Sequence, residues 1–200
     1  MSFQPILRRG RLALWLLPLL LIGPLLIDGN TAAAFSYNVI VPSTLFLQAG
    51  TAGSETQTYS AGATWDWGWH RQSALGRLSG YSEISFGRWI TDVGSGGSAW
   101  ETQLGITPVV RLQAMHHDNW LHDWFAEIGV GANVILPIYR SKEKRFSTTF
   151  NFGDHFAIGR QFGAHQQHEL ALRIQHFSNG GIDQPNPGEN FLQLRYSHRW

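Results

Sequence analysis

In the stretch TYSAGATWDWGW, residues 58–69, Tyr59, Ala61, Ala63, Trp65, Trp67 and Trp69 occupy one parity. Thr58, Ser60, Gly62, Thr64, Asp66 and Gly68 occupy the other. A period of two places successive side chains on opposite faces of an extended chain, so the stretch predicts a strand with one apolar and one polar face. The pattern recurs along the chain. Leu45, Leu47 and Ala49 mark it in 43–52, Leu78, Ile84, Phe86 and Ile90 in 76–90, and Leu104, Ile106, Val110 and Leu112 in 98–112. Trp124, Ala126, Ile128, Val130, Ala132 and Val134 mark it in 124–135, and Phe146, Phe150, Phe152, Phe156 and Ile158 in 146–159. Leu170, Leu172 and Ile174 follow in 168–178, then Leu192, Leu194, Tyr196 and Trp200 in 191–200. That is eight strands, with turn-forming residues such as Gly94-Ser95-Gly96-Gly97 between them.

Several of these strands reach the length of about 9–11 residues that a tilted strand needs to cross a bilayer. Hydrocarbon cannot satisfy an open sheet edge, so strands that span a membrane must close on themselves. The expected fold is therefore all-β, an eight-stranded antiparallel transmembrane β-barrel of the outer-membrane type. Its polar parity points inward, including Glu83, Glu127, Arg173, Arg195 and Arg199, and its apolar parity faces lipid. A soluble β-sandwich shows the same alternation. The leader at 1–34 favours export to a membrane barrel instead: Arg8, Arg9 and Arg11, an apolar run from Leu12 to Ile27, and Ala32-Ala33-Ala34 before Phe35. Residues 35–200 then form one barrel domain. Trp200, on the apolar parity, resembles the terminal aromatic of bacterial outer-membrane barrels.

Composition agrees with this. Only 14% of the residues are charged and 13% are aromatic, with 22 glycines. The net charge of +1 and the absence of a basic stripe give no reason to expect nucleic acid. There is no cysteine, so no disulfide and no thiol nucleophile. His116, His117, Asp118, His122 and Asp123 share no metal-ligand spacing and read as a polar turn. His155, His165 and His168 read as polar residues at the barrel ends. No metal and no cofactor is expected.

The chemistry concentrates in QHFSNGGIDQPNPGEN, residues 175–190. His176 and Ser178 continue the parity of Leu170, Leu172 and Ile174, so both fall on the lipid-facing side, where polar groups are costly unless used. Residues i and i+2 lie about 6.6 Å apart at Cα on a strand, within reach of an imidazole–hydroxyl pair. Such a pair supplies a general base and a nucleophile. Asn179, Gly180 and Gly181 are the nearest candidates for holding an oxyanion, although a plain hairpin loop has the same composition.

The His-Phe-Ser-Asn element, the small residues after it and the Pro-Asn-Pro-Gly turn before FLQLRYSHRW resemble the PagL family of outer-membrane lipid A 3-O-deacylases. The resemblance implies hydrolysis of the ester that links a 3-hydroxyacyl chain to the 3-position of lipid A, by a Ser-His-Glu triad on the barrel exterior. It assigns Ser178 as nucleophile, His176 as base and, just after the turn, Glu189 as the acid. Asp183 and Asn190 are alternatives. Asn190 shares parity with lipid-facing Leu192 and Glu189 does not, and Asn can orient an imidazole as a neutral partner. The resemblance further implies lipid A and outer-membrane lipids as partners, and leaves open whether two copies form a homodimer. A non-catalytic small barrel and an outer-membrane phospholipase or acyltransferase are the competing functions.

Overall fold

The computed structural model describes residues 41–94, 96–114 and 121–200. The expected leader at 1–34 and His116, His117 and Asp118 lie outside the described residues. Eight strands run in chain order: β1 Thr44–Ala52, β2 Thr56–Ser73, β3 Gly76–Gly94, β4 Gly97–Gln113, β5 Trp124–Leu136, β6 Phe150–Phe162, β7 His168–Ser178 and β8 Glu189–Arg199. Each pairs antiparallel with the next, and β1 pairs with β8, so the sheet closes into a barrel. There is no helix among the described residues.

Alternation decides which side each residue faces. Leu47, Phe86, Leu104, Ile128, Leu172, Ile174, Leu192 and Leu194 are exposed on the outer wall. In water such an apolar band would be a liability; in a bilayer it is the solvated surface. Inward residues carry both charge signs. Arg173 pairs with Glu83 at 3.1 Å and with Glu127 at 3.5 Å. Arg195 reaches Glu83 at 2.6 Å, and Arg111 bridges Glu127 and Glu169. Each of these buried charges has an opposite partner, the condition under which burial of ions is tolerated.

The interior changes character toward the end that carries the β5–β6 and β7–β8 connections. There Trp89 packs against Tyr139, Phe177 and Phe191, with ring centroids 5.2, 4.9 and 4.7 Å away. Phe146, Ile135 and Ala52 complete this buried cluster. Phe177 and Phe191 alternate along β7 and β8 with the outward residues His176, Ser178 and Asn190. The aromatic plug is thus the inner footing of the candidate site.

Three local expectations change. β6 begins at Phe150, and Phe146 belongs to the preceding loop, where it fills the plug. The register of β2 against β3 shifts between Asp66 and His70, with Gly68 at φ 76°. A bulge of this kind re-aims the side chains beyond it. Trp67 lies against Gly80, Trp69 lines the barrel mouth, and the aromatic series of β2 does not stay on one face. His155 is buried inside the barrel opposite Gln175, not at a rim. A polar cavity of 440 Å³, lined by Asp66, Arg77, Arg111, Asp123 and Arg199 among others, opens at the mouth opposite the plug.

Candidate active site

His176 and Ser178 close the outward row of β7, and Asn190 opens the outward row of β8. His176 and Asn190 are direct cross-strand partners. The imidazole Nδ1 lies 2.7 Å from Asn190 Oδ1. An amide oxygen can only accept, so this contact places a proton on Nδ1 and leaves Nε2 with its lone pair. Ser178, two residues on, pairs across to Phe152 of β6. Among the described residues neither Nε2 nor the Ser178 hydroxyl has a hydrogen-bond partner; such contacts are often loose before substrate binds.

Gly188 shapes the other edge of the ring. It sits at φ 65°, and a Cβ built there would come within 2.6 Å of His176 Cε1 and 3.2 Å of Nε2. Only glycine combines that backbone with that approach. The Pro-Asn-Pro-Gly turn therefore ends on a glycine because the imidazole occupies the space of its side chain.

Glu189 does not face His176. Its parity is that of Phe191, and its side chain is 1% exposed inside the barrel. Oε2 accepts from Ser54 at 2.5 Å and from Tyr139 at 2.8 Å; Oε1 accepts from Lys144 at 3.0 Å and from the Asn190 amide at 3.1 Å. Burial, ahead of the contact with Glu189, pushes the Tyr139 phenol up to about 12, so it remains a donor to that carboxylate. Strand pairing starts at Glu189 itself, so the face rule already applies there. Asp183 lies in the β7–β8 loop, where its carboxylate accepts from the Gln184 amide and its carbonyl from Asn179.

The oxyanion candidates separate in the same way. Asn179 is 1% exposed. Its Nδ2 donates to Ser147 Oγ and the Asp183 carbonyl, both at 2.9 Å, and its backbone N–H donates to Asn186 Oδ1 at 3.0 Å. The Gly181 N–H donates to Asn179 Oδ1 at 2.8 Å. Asn179 is thus the knot of the loop, and among the three candidates only the Gly180 N–H has no partner among the described residues. Gly180, at φ 67°, rests against the Phe152 ring. No group of three or more metal-ligating side chains occurs among the described residues.

Sequence reasoning missed Gly188 and Asn186, whose signal was the turn motif itself. It also missed Asp154, outward on β6 and paired across to His176; one strand's sequence carries no trace of its neighbour's register.

Comparison with known proteins supplies the family. Residues 57–199 match the family model described as "Lipid A 3-O-deacylase (PagL)". The chain is similar to the lipid A deacylase PagL of Bordetella bronchiseptica, 33% identical over 127 residues that cover 62% of this chain and 65% of that one. It is also similar to the lipid A deacylase PagL of Pseudomonas aeruginosa, 30% identical over 149 residues, 74% of this chain and 80% of that one. Among solved structures, the outer membrane enzyme PagL superposes with a TM-score of 0.66 at 25% identity, covering 78% of this chain and 99% of that one. This eight-stranded outer-membrane barrel belongs to the PagL family of lipid A 3-O-deacylases.

Proposed function

We propose that the chain hydrolyses the ester holding the 3-hydroxyacyl chain at the 3-position of lipid A, with Ser178 as nucleophile, His176 as general base and Asn190 as the group that orients the ring. The observation that carries this reading is the 2.7 Å contact between His176 Nδ1 and Asn190 Oδ1 on the lipid-facing wall. It presents a basic Nε2 two residues from a serine, on the surface that an acyl chain in the leaflet touches.

Nε2 takes the Ser178 proton as Oγ attacks the acyl carbonyl. The carbonyl oxygen becomes an oxyanion beside the Gly180 N–H. His176 then gives its proton to the departing sugar oxygen, and the acyl group stays on Ser178. Water, deprotonated by the same Nε2, cleaves the acyl-serine and releases a 3-hydroxy fatty acid. The substrate never leaves the membrane, which is why the machinery sits outside the barrel. Glu189 lies behind it, holding Lys144 and Tyr139 to the start of β8.

The test is a detergent-micelle assay with lipid A and phospholipid present together. The parent chain releases 3-hydroxy fatty acid from lipid A and leaves the phospholipid intact, and Ser178→Ala releases none. Phospholipid hydrolysis that is lost in Ser178→Ala would assign the same residues to a phospholipase instead.

A further inference from the structure

We propose that His168 and His198 hold a divalent cation of zinc type between their Nδ1 atoms, on the outer wall at the end of the barrel opposite the active site. The two are direct cross-strand partners, His168 opening β7 and His198 next to the last residue of β8. Both are half-buried on the outward parity. Their Nδ1 atoms lie 3.5 Å apart in hydrogen-bonding geometry, and 30 residues separate them in the chain, so no ligand-spacing motif announces them. Zinc binds imidazole nitrogen at about 2.0–2.1 Å and takes four ligands in a tetrahedron, which sets two such nitrogens about 3.3–3.4 Å apart. The pair thus stands at the bite of a tetrahedral ion. A square-planar ion needs neighbouring nitrogens about 2.8–2.9 Å apart, so the spacing favours zinc over copper or nickel.

Neighbouring rings hold both imidazoles in place. His168 stacks between Phe162 and Tyr196, with centroids 5.3 and 6.0 Å away, and His198 lies 6.2 Å from Trp200. A chelate therefore finds its two ligands already ordered, which lowers the entropy cost of binding. The Tyr196 hydroxyl also lies 2.8 Å from His168 Nδ1. A ring nitrogen carries either one proton or one lone pair, so His168 Nδ1 serves only one of its two polar neighbours at a time. The ion takes the lone pairs of both Nδ1 atoms, with the ring protons on Nε2. That releases the phenol to hydrogen-bond a water in the open half of the ion's shell.

The position on the wall suits an ion. His168 and His176 are the first and ninth residues of β7, so about 26 Å of strand separates them, or roughly 20 Å of height at a tilt of about 40°. That is most of an apolar band about 25 Å tall. With His176 at one membrane interface, the histidine pair reaches the other, among the aromatic side chains Phe162, Tyr196 and Trp200. Water is present at that level to complete the shell. The nearby outward cation on β6, Arg160, faces Asp123 at 3.9 Å and does not stand alone beside the pair. The bound ion ties the start of β7 to the end of β8, the strand whose pairing with β1 closes the barrel. It stabilises the fold and takes no part in ester hydrolysis.

The experiment titrates zinc chloride by calorimetry into the full folded barrel in detergent, with no affinity tag and no chelating buffer. The parent is compared with His168→Gln, His198→Gln, the double variant His168→Gln/His198→Gln, and a control, His116→Gln/His117→Gln. The parent takes one ion with Kd on the order of 10 μM, since two imidazoles are half of a structural zinc set. Each single variant weakens binding at least about tenfold, and the control stays within about twofold of the parent. Zinc at about 100 times Kd raises the thermal midpoint of the parent above its value in EDTA and leaves that of the double variant where it was. The urea midpoint of each variant without zinc shows that it is folded. A parent that binds no zinc at about 1 mM, equal affinity in the double variant, or a loss confined to the control overturns the proposal. Inhibition of ester hydrolysis that tracks the bound ion would place the ion on His176 and overturn it as well.

Discussion

Asn190 and Glu189 are chain neighbours with opposite duties, and substitution separates them. Asn190→Ala removes the acceptor that holds the His176 tautomer, so kcat falls about 10- to 100-fold while the barrel remains folded. Glu189→Gln does the reverse: it weakens a buried cluster of Ser54, Tyr139 and Lys144, costs about 1–3 kcal/mol of stability, and lowers kcat less than Asn190→Ala. Urea titration of the folded barrel, read beside the rate, distinguishes the two. Gly188→Ala drives a methyl group into the imidazole at a positive-φ position. It costs about 1–2 kcal/mol from the backbone alone and abolishes most of the activity. The sequence already held the answer to which neighbour faces His176, because Asn190 has the parity of Leu192. Family resemblance points to the glutamate, but β8 is in register from Glu189 onward, which turns its side chain inward.

At the scale of elements, the site depends on two loops sewn together. The β5–β6 loop sends Ser147 to Asn179 and Lys144 to Glu189, so the β7–β8 loop has a fixed floor. Asn179 ties four residues with its side chain and amide, which fixes the backbone on either side of Gly180. Asn179→Ala lowers kcat by about 10- to 100-fold through the Gly180 amide without removing a reacting group. A rate loss with KM nearly constant and the barrel still folded checks this. The strands themselves were legible because lipid outside and ion pairs inside enforce a strict alternation. Legibility failed where a bulge interrupts the period, at Asp66–His70, and where an aromatic serves a loop, at Phe146. Neither event changes composition or spacing enough to be seen in one dimension.

Across the whole molecule, a charged interior, an aromatic plug and an apolar outer wall divide the labour. Ion pairs of Glu83, Arg173 and Arg195 hold the strands from within. Glu83→Leu strips Arg195 of its carboxylate partner and leaves Arg173 with Glu127 alone, which costs about 3–5 kcal/mol, read as a lower urea midpoint, with kcat unchanged in the fraction that folds. The wall can then carry chemistry, because its residues are not needed for closure. That division also explains what could be read early. His176 and Ser178 stood out as polar residues on an apolar parity. Asp154, equally polar on an equally apolar row, is placed opposite His176 only by the β6–β7 register. The most direct measurement is the mass of lipid A from cells making this chain, beside cells making Ser178→Ala. The account predicts loss of one 3-hydroxyacyl group from the 3-position with the parent chain and none with the variant. Unchanged lipid A with the folded parent in the outer membrane, and again when barrel and lipid A are mixed in detergent, would contradict it.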